Sequence, residues 1–240
     1  MIFAMSEVLV TSLGDNFIYL LRQGHLACAV DPTAAEPVQR LLDEHGLTLM
    51  LILNTHHHAD HVGGNETLKN AYGCTVVGGS PAIPGVDRVV GDGDAVRFGK
   101  VDFQVLATPG HTRDGLCFYR PGAPGLIFTG DTLFVGGCGR VLEGTAVELW
   151  RSLRRLAELP EETLVYCGHE YAKANYAFAA LVAGERKPLI RTRQAELETR
   201  RRNGGFSVPS TIAQEKATNV FMTAEDPETF TALRSRKDRG

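Results

Sequence analysis

The chain has 240 residues, 43% of them hydrophobic and 22% charged, and a formal net charge of -3. That is enough apolar material for a sizeable core in one large domain, or in a domain with a smaller appendage, and the charge argues against a general affinity for nucleic acid or an anionic membrane. The 5 cysteines (Cys28, Cys74, Cys117, Cys138, Cys167) are odd in number and hold no CxxC pair, which argues against a secreted disulfide framework and a structural zinc ribbon.

The opening MIFAMSEVLV has no basic stretch ahead of a long apolar run, so no leader peptide is expected. Short apolar runs at 17–21, 26–30, 49–53, 75–78, 87–90, 101–107, 115–119, 126–129 and 163–167, punctuated by Gly, Pro and Asp, are predicted as strands. None approaches the length needed to cross a bilayer, and a soluble protein of the reducing cytoplasm is expected. Pro37–Glu44 places Val38, Leu41 and Leu42 on one helix face, and Gly46 stops it. GDGD at 91–94 is a turn between strands. A second helix at Val147–Leu159 repeats Leu149, Leu153 and Leu156 and ends at Pro160. After Tyr171 the strand-like runs vanish. A helix at 172–183, a polar helix at 189–202 broken by Gly204-Gly205, and a further helix capped by Ser210 or Thr211 are expected. The arginine-rich stretch Arg186–Arg202 reads as a solvated helix face. The organisation predicted is an α/β body over 1–172 and a small helical domain over 173–240.

Four of the predicted strands end alike. Residues 49–53 run into Asn54-Thr55-His56, 101–107 into Thr108-Pro109-Gly110-His111, 126–128 into Thr129-Gly130-Asp131, and 163–167 into Gly168-His169. Strand ends held by a rigid sheet are where catalytic groups are placed, so these four are expected to converge at one edge of the sheet. Five of the 8 histidines (His56, His58, His61, His111, His169) lie in these segments, whereas His25 and His45 read as ordinary surface residues. In an extended segment alternate side chains share a face, so within NTHHHADH (54–61) His56 and His58 act together while His57 points away. The chain then turns into a helix that offers Asp60 and His61 to the same place. Five imidazoles, Asp60 and Asp131 exceed one catalytic ion, which takes about three protein ligands. Two ions are expected, one on His56, His58 and His111, the other on Asp60, His61 and His169, with Asp131 bridging them across about 3.5–4 Å.

These segments resemble those of a known family. THHHADH fits the THxHxDH signature of the metallo-β-lactamase fold, and TPGHT, TGDTLF and YCGHEY fit its other metal-bearing segments. The likeness is greatest to glyoxalase II, the hydroxyacylglutathione hydrolases. It extends to DNFIYL (15–20), GGCGRVLEGT (136–145), VPSTIAQEKATNVFM (208–222) and LRSRKD (233–238), and so covers nearly the whole chain. The resemblance implies an αββα sandwich with a small C-terminal helical domain, a monomer, and two divalent metal ions, zinc first, with iron or manganese suited to the same ligands. It implies hydrolysis of S-D-lactoylglutathione, the thioester of methylglyoxal detoxification, to glutathione and D-lactate by a metal-bridging hydroxide that Asp60 and Asp131 orient. Carried over by position, the glutathione contacts are Arg140, Tyr171, Arg234 and Lys237, groups that suit a peptide with two carboxylates. Asp31 and Thr55 are candidate partners for the ligand histidines. The chain departs from the family at Val141 and Leu142, where an aromatic residue is common, at Asp114-Gly115, where Gly-His follows TPGHT, and at Thr223, where arginine is common. Rival readings are a glutathione persulfide dioxygenase with a single iron, which lacks the tail, and a lactonase or other hydrolase of the fold, which has no need of Arg234 and Lys237.

Overall fold

The computed structural model describes residues 7–239, so most of the stretch read as lacking a leader, Met1 to Ser6, lies outside them. The first half comprises β1 (Glu7–Leu13), β2 (Asn16–Gln23), β3 (Leu26–Val30), α1 (Ala35–His45), β4 (Thr48–Leu53), α2 (Ala59–Val62), α3 (Asn65–Tyr72), β5 (Thr75–Gly78) and β6 (Arg88–Val89). Its strands form one sheet in sequence order, β1-β2-β3-β4-β5-β6, antiparallel to β3 and parallel from there on. The second half comprises β7 (Ala95–Phe98), β8 (Val101–Ala107), β9 (Leu116–Arg120), β10 (Leu126–Gly130), β11 (Leu133–Phe134), β12 (Gly137–Cys138), α4 (Ala146–Leu156), β13 (Leu164–Cys167), α5 (Ala172–Val182), α6 (Lys187–Arg202), β14 (Ser210–Thr211), α7 (Ile212–Thr218) and α8 (Pro227–Asp238). The second sheet runs β14-β13-β10-β9-β8-β7, and β11 and β12 pair as a separate hairpin.

The run FIYLL in β2 shows no polar alternation because both faces of the strand are buried. Phe17, Tyr19 and Leu21 enter the cluster between the two sheets, while Ile18 and Leu20 pack with Val38 and Leu42 of α1 and Leu68 of α3. Although β2 is antiparallel to both neighbours, cover by the facing sheet on one side and by helices on the other demands this pattern. The cluster between the sheets continues to Leu149, Leu153 and Leu156 of α4 and to Tyr176 and Ala179 of α5, which completes the αββα sandwich. Each such apolar side chain contributes roughly 1.5–3 kcal/mol when fully buried.

Several elements escaped the sequence reading. β1 is a half-exposed edge strand; β11, β12 and β14 are two residues long, too short for any periodicity to register. The helical tail is thus not wholly strand-free: β14 pairs antiparallel with β13 through Leu164–Thr211 and Val165–Ser210. Thr211 then caps α7, its hydroxyl accepting from Gln214 N while the Gln214 side chain accepts from Thr211 N.

The tail helices grip the β11–β12 hairpin. The Glu215 carboxylate is fully buried, accepts from Gly136 N at 2.9 Å and Ser210 Oγ at 2.5 Å, and is pushed up by burial against those hydrogen bonds. Asn219 Nδ2 donates to Gly137 O at 2.9 Å, and Asn175 Nδ2 to Val135 O at 3.0 Å. The hairpin leads directly into Cys138–Arg140 at the edge of the site.

Candidate metal centre

The four strand endings do converge, but not at one edge of one sheet. His56 follows β4 of the first sheet, and His111, Asp131 and His169 follow β8, β10 and β13 of the second. The donors therefore face one another across the open end of the sandwich. The separations are short: His56 Nε2 to His58 Nδ1 3.1 Å, His58 Nδ1 to His111 Nε2 3.2 Å, and His61 Nε2 to His169 Nε2 3.3 Å. Asp60 Oδ2 lies 3.7 Å from His61 Nε2 and 3.5 Å from His169 Nε2. Asp131 turns Oδ1 to His61 Nε2 and Oδ2 to both His111 Nε2 and His169 Nε2, each at 3.4 Å. All seven residues expected as ligands are thus brought together, in triads that match the two drawn from sequence.

The donor set fits divalent ions. Ligands held about 2.0–2.1 Å from a tetrahedral zinc lie about 3.3–3.4 Å from one another, close to the spacings here. Three of the five outward nitrogens are committed elsewhere: His61 Nδ1 donates to Asp31 Oδ2 at 3.0 Å, His111 Nδ1 to Arg140 O at 2.8 Å, and His56 Nδ1 to Thr55 Oγ1 at 3.0 Å, the Thr55 hydroxyl in turn donating to Asp31 Oδ2 at 2.7 Å. With those nitrogens so held, the inward nitrogens face one another, an arrangement that a bound cation relieves. Asp131 Oδ1 is buried without a hydrogen-bond donor, as a metal-facing carboxylate oxygen would be.

The electrostatics agree. Burial and neighbouring His61 hold His56 well below its usual pKa, and burial and His111 lower His58. Burial would raise Asp131, but His61, His169 and His56 outweigh it and keep the carboxyl ionised far below the usual range. Burial would lower His61, but Asp131 and Asp31 outweigh it and raise the imidazole to about 9. The cluster attracts positive charge at its centre.

Asp31 sits at the end of β3 with a left-handed φ of 50° and also accepts from Thr55 N at 2.8 Å, so one carboxylate sets both the β4 ending and His61. Thr55 joins His56 to that carboxylate. Gly168 has no room for a side chain: a Cβ there would strike Asp131 Oδ1 and come within 2.8 Å of His61 Cε1. Asn16 was missed by sequence reasoning. Its Nδ2 donates to Asp60 Oδ2 at 3.0 Å and Asp60 O at 3.1 Å, and helps hold Asp60 ionised against its partial burial. The signal lay in the DNF that opens β2. His57 joins neither triad; its ring nitrogens face Asp114 and Glu143.

A cavity of about 550 Å³ opens from the donors and runs to Arg140, Tyr171, Arg234 and Lys237. These four stand in different conditions. Arg140 is exposed. Tyr171 stacks on His169 with centroids 4.7 Å apart, and its hydroxyl is pushed up to about 12 by burial and Asp15. Lys237 is pushed down to about 8 by burial and the Arg234 charge; its Nζ bonds Asn175 Oδ1 and faces the Phe178 and Phe221 rings. Arg234 is buried at 5% exposure and already engaged, donating to Cys138 O at 3.0 Å and to Asp238 Oδ1 at 2.8 Å, with its guanidinium 5.0 Å from the Phe221 ring. Arg234→Met is expected to leave the Cys138 carbonyl unpaired and cost about 1.5–3 kcal/mol. Calorimetry should show the midpoint lowered by roughly 4–10 °C; an unchanged midpoint with a raised KM would make Arg234 a substrate contact alone. Of the departures from the family pattern, Leu142 lines the cavity, Val141 packs against the core, and Thr223 accepts from Arg186 NH1 at 2.6 Å.

Fold and donors define a metallo-β-lactamase-type metal centre: the pattern of the Metallo-beta-lactamase superfamily matches residues 13–84 and 78–169. The pattern of the Hydroxyacylglutathione hydrolase C-terminus matches residues 170–240. Among curated relatives, the hydroxyacylglutathione hydrolase of Chromohalobacter salexigens is 45% identical, the match covering 95% of this chain and 91% of that one. That of Methylococcus capsulatus is 44% identical over 98% of both. The chain belongs to the hydroxyacylglutathione hydrolase family. Among solved structures, ETHE1 from Myxococcus xanthus superposes with a TM-score of 0.73 at 32% identity, covering 97% of this chain and 90% of that one. TTHA1623 in a di-iron-bound form superposes with a TM-score of 0.58 at 31% identity, covering 68% of this chain and 91% of that one.

Proposed function

We propose that this protein hydrolyses a 2-hydroxyacylglutathione thioester, S-D-lactoylglutathione, to glutathione and D-lactate at a dinuclear metal site. The observation that carries the reading is the single cavity that joins two His/Asp triads at one end to Lys237 and Arg140 at the other. His56, His58 and His111 would hold one ion, Asp60, His61 and His169 the second, and Asp131, with an oxygen turned to each triad, both. The solved relative in a di-iron-bound form supports two ions; zinc is the ion proposed, and iron and manganese suit the same donors. Such ions, when bound, bring the pKa of water to about 7 and polarise a carbonyl, so that no protein base is required.

The protein's own groups do the rest. Asp60, tied by Asn16, and Asp131 fix where the nucleophile lies. Lys237 and Arg140 pair with the glutathione carboxylates and place the thioester over the donors. Tyr171 holds the plane of His169 and walls the cavity. A thiolate leaves readily, so no strong general acid is demanded. Residues 1–172 are read as the hydrolase body and 173–240 as the part that binds glutathione. The chain is read as a monomer of the cytoplasm, and its five free, buried cysteines support a reducing compartment.

The test is S-D-lactoylglutathione hydrolysis and metal analysis on one sample. Rapid hydrolysis with about two ions per chain, lost on chelation and regained with zinc, is expected. Oxygen uptake with glutathione persulfide, one iron and no hydrolysis would replace this reading with the dioxygenase.

A further inference from the structure

His57 and Asp114 remain without a part in the site. Each His57 ring nitrogen faces a carboxylate: Nδ1 lies 2.9 Å from Asp114 Oδ1, and Nε2 lies 3.1 Å from Glu143 Oε1. The other Glu143 oxygen accepts from Arg113 N at 3.2 Å. Glu143 is therefore held at both oxygens. The same Oε1 that meets His57 lies 3.8 Å from His58 Nε2.

His58 is one of two ligand imidazoles whose outward nitrogen makes no hydrogen bond; the other, His169 Nδ1, lies 3.4 Å from Asp15 Oδ1. His58 turns Nδ1, not Nε2, toward His56 and His111, so Nε2 faces outward. His56, His61 and His111 have outward nitrogens fixed by Thr55, Asp31 and the Arg140 carbonyl. The His58 side chain is 26% exposed, against 1% for His61, 9% for His111 and 6% for His169, so packing alone restrains it least. Glu143 also belongs to the loop that wraps His111, since Leu142 N and Glu143 N both donate to His111 O at 3.2 Å.

We propose that Glu143, locked in place by His57 and the Arg113 amide, is the carboxylate that orients His58 and tunes the ion held by His56, His58 and His111. Asp114 fixes the far side of His57, so Asp114, His57 and Glu143 form a relay that couples the β8–β9 loop to a ligand of the β4 ending. Glu143 is a positioning residue, since it does not line the cavity that opens from the donors. The roughly 1 Å by which the His58–Glu143 separation of 3.8 Å exceeds an ordinary charge-assisted hydrogen bond is a small side-chain adjustment.

The proposal rests on the metal reading above, and cobalt titration of the full chain separates the two. With Co(II) as the probe, the unmodified protein should bind two ions, each with its own affinity and visible absorption band. In Glu143→Ala one affinity should fall roughly 10–100-fold with a change in its band, while the other is unmoved. Glu143→Gln, whose amide oxygen can still accept, should restore most of the loss. His57→Ala should keep both ions at excess cobalt and weaken the same site by less, because the Arg113 amide still holds Glu143. Two ions of unaltered affinity in Glu143→Ala would overturn the proposal and leave the metal reading standing. So would an equal loss at both sites, or a third cobalt lost with Glu143, which would make His57, His58 and Glu143 a metal site. An unmodified protein that binds no cobalt would overturn both.

Discussion

Asp131→Ala is expected to remove at least one of the two ions and to lower kcat/KM for S-D-lactoylglutathione by about a thousandfold or more. The carboxylate is buried, and its two oxygens face His61, His111 and His169, each at 3.4 Å. Without it, three imidazoles crowd one point with no anion between them, and neither triad has a shared ligand. A thousandfold loss corresponds to about 4 kcal/mol of transition-state stabilisation, the scale expected when a preorganised charge is taken from a water-poor site. Metal content by mass spectrometry and hydrolysis on the same preparation check it. Two retained ions with full activity would show that Asp131 bridges nothing.

The second large effect is at Lys237. Its ammonium is pushed down to about 8, mainly by burial. A lysine is charged below its pKa and neutral above it, so its attraction for a glutathione carboxylate is present below pH 8 and lost as pH rises through it. A pH profile of kcat/KM should therefore fall above about pH 8, while kcat at saturation follows weakly, because a bound carboxylate keeps the proton on the amine. Lys237→Met should remove that limb and lower kcat/KM roughly 10–150-fold, the equivalent of a charged hydrogen bond of about 1.5–3 kcal/mol. If the alkaline limb persists in Lys237→Met, another group titrates.

The metal ligands were legible because their chemistry is dense and local. Four of them fall within six residues from His56 to His61, and the other segments each place one His or Asp after an apolar run. Alternation along an extended chain separates His57 from His56 and His58 without any tertiary information. The partners that orient those ligands were harder to see. Asn16, Asp114 and Glu143 are 44, 57 and 86 positions from Asp60, His57 and His57 respectively, and no local period links residues so distant. Arg234 shows the opposite hazard. Its position in LRSRKD reads as a substrate contact, yet burial and the Cys138 carbonyl make it first a tie between α8 and the hairpin.

The identity of the buried, longer strands, the helix faces and the kinds of side chain at each strand end follow from nearest-neighbour physics: period, turn residues and donor chemistry. Those features were settled before any folding. Which sheet each strand joins was not, because β4 and β10 carry the same apolar pattern and nothing local distinguishes a partner. The site exists because two separate sheets align their open ends, bringing nitrogens and oxygens from four loops within 4 Å. That alignment is set by the apolar cluster between the sheets, a sum of many non-directional contacts between distant residues. The charges and hydrogen bonds of the site then act on a geometry that the core has already imposed.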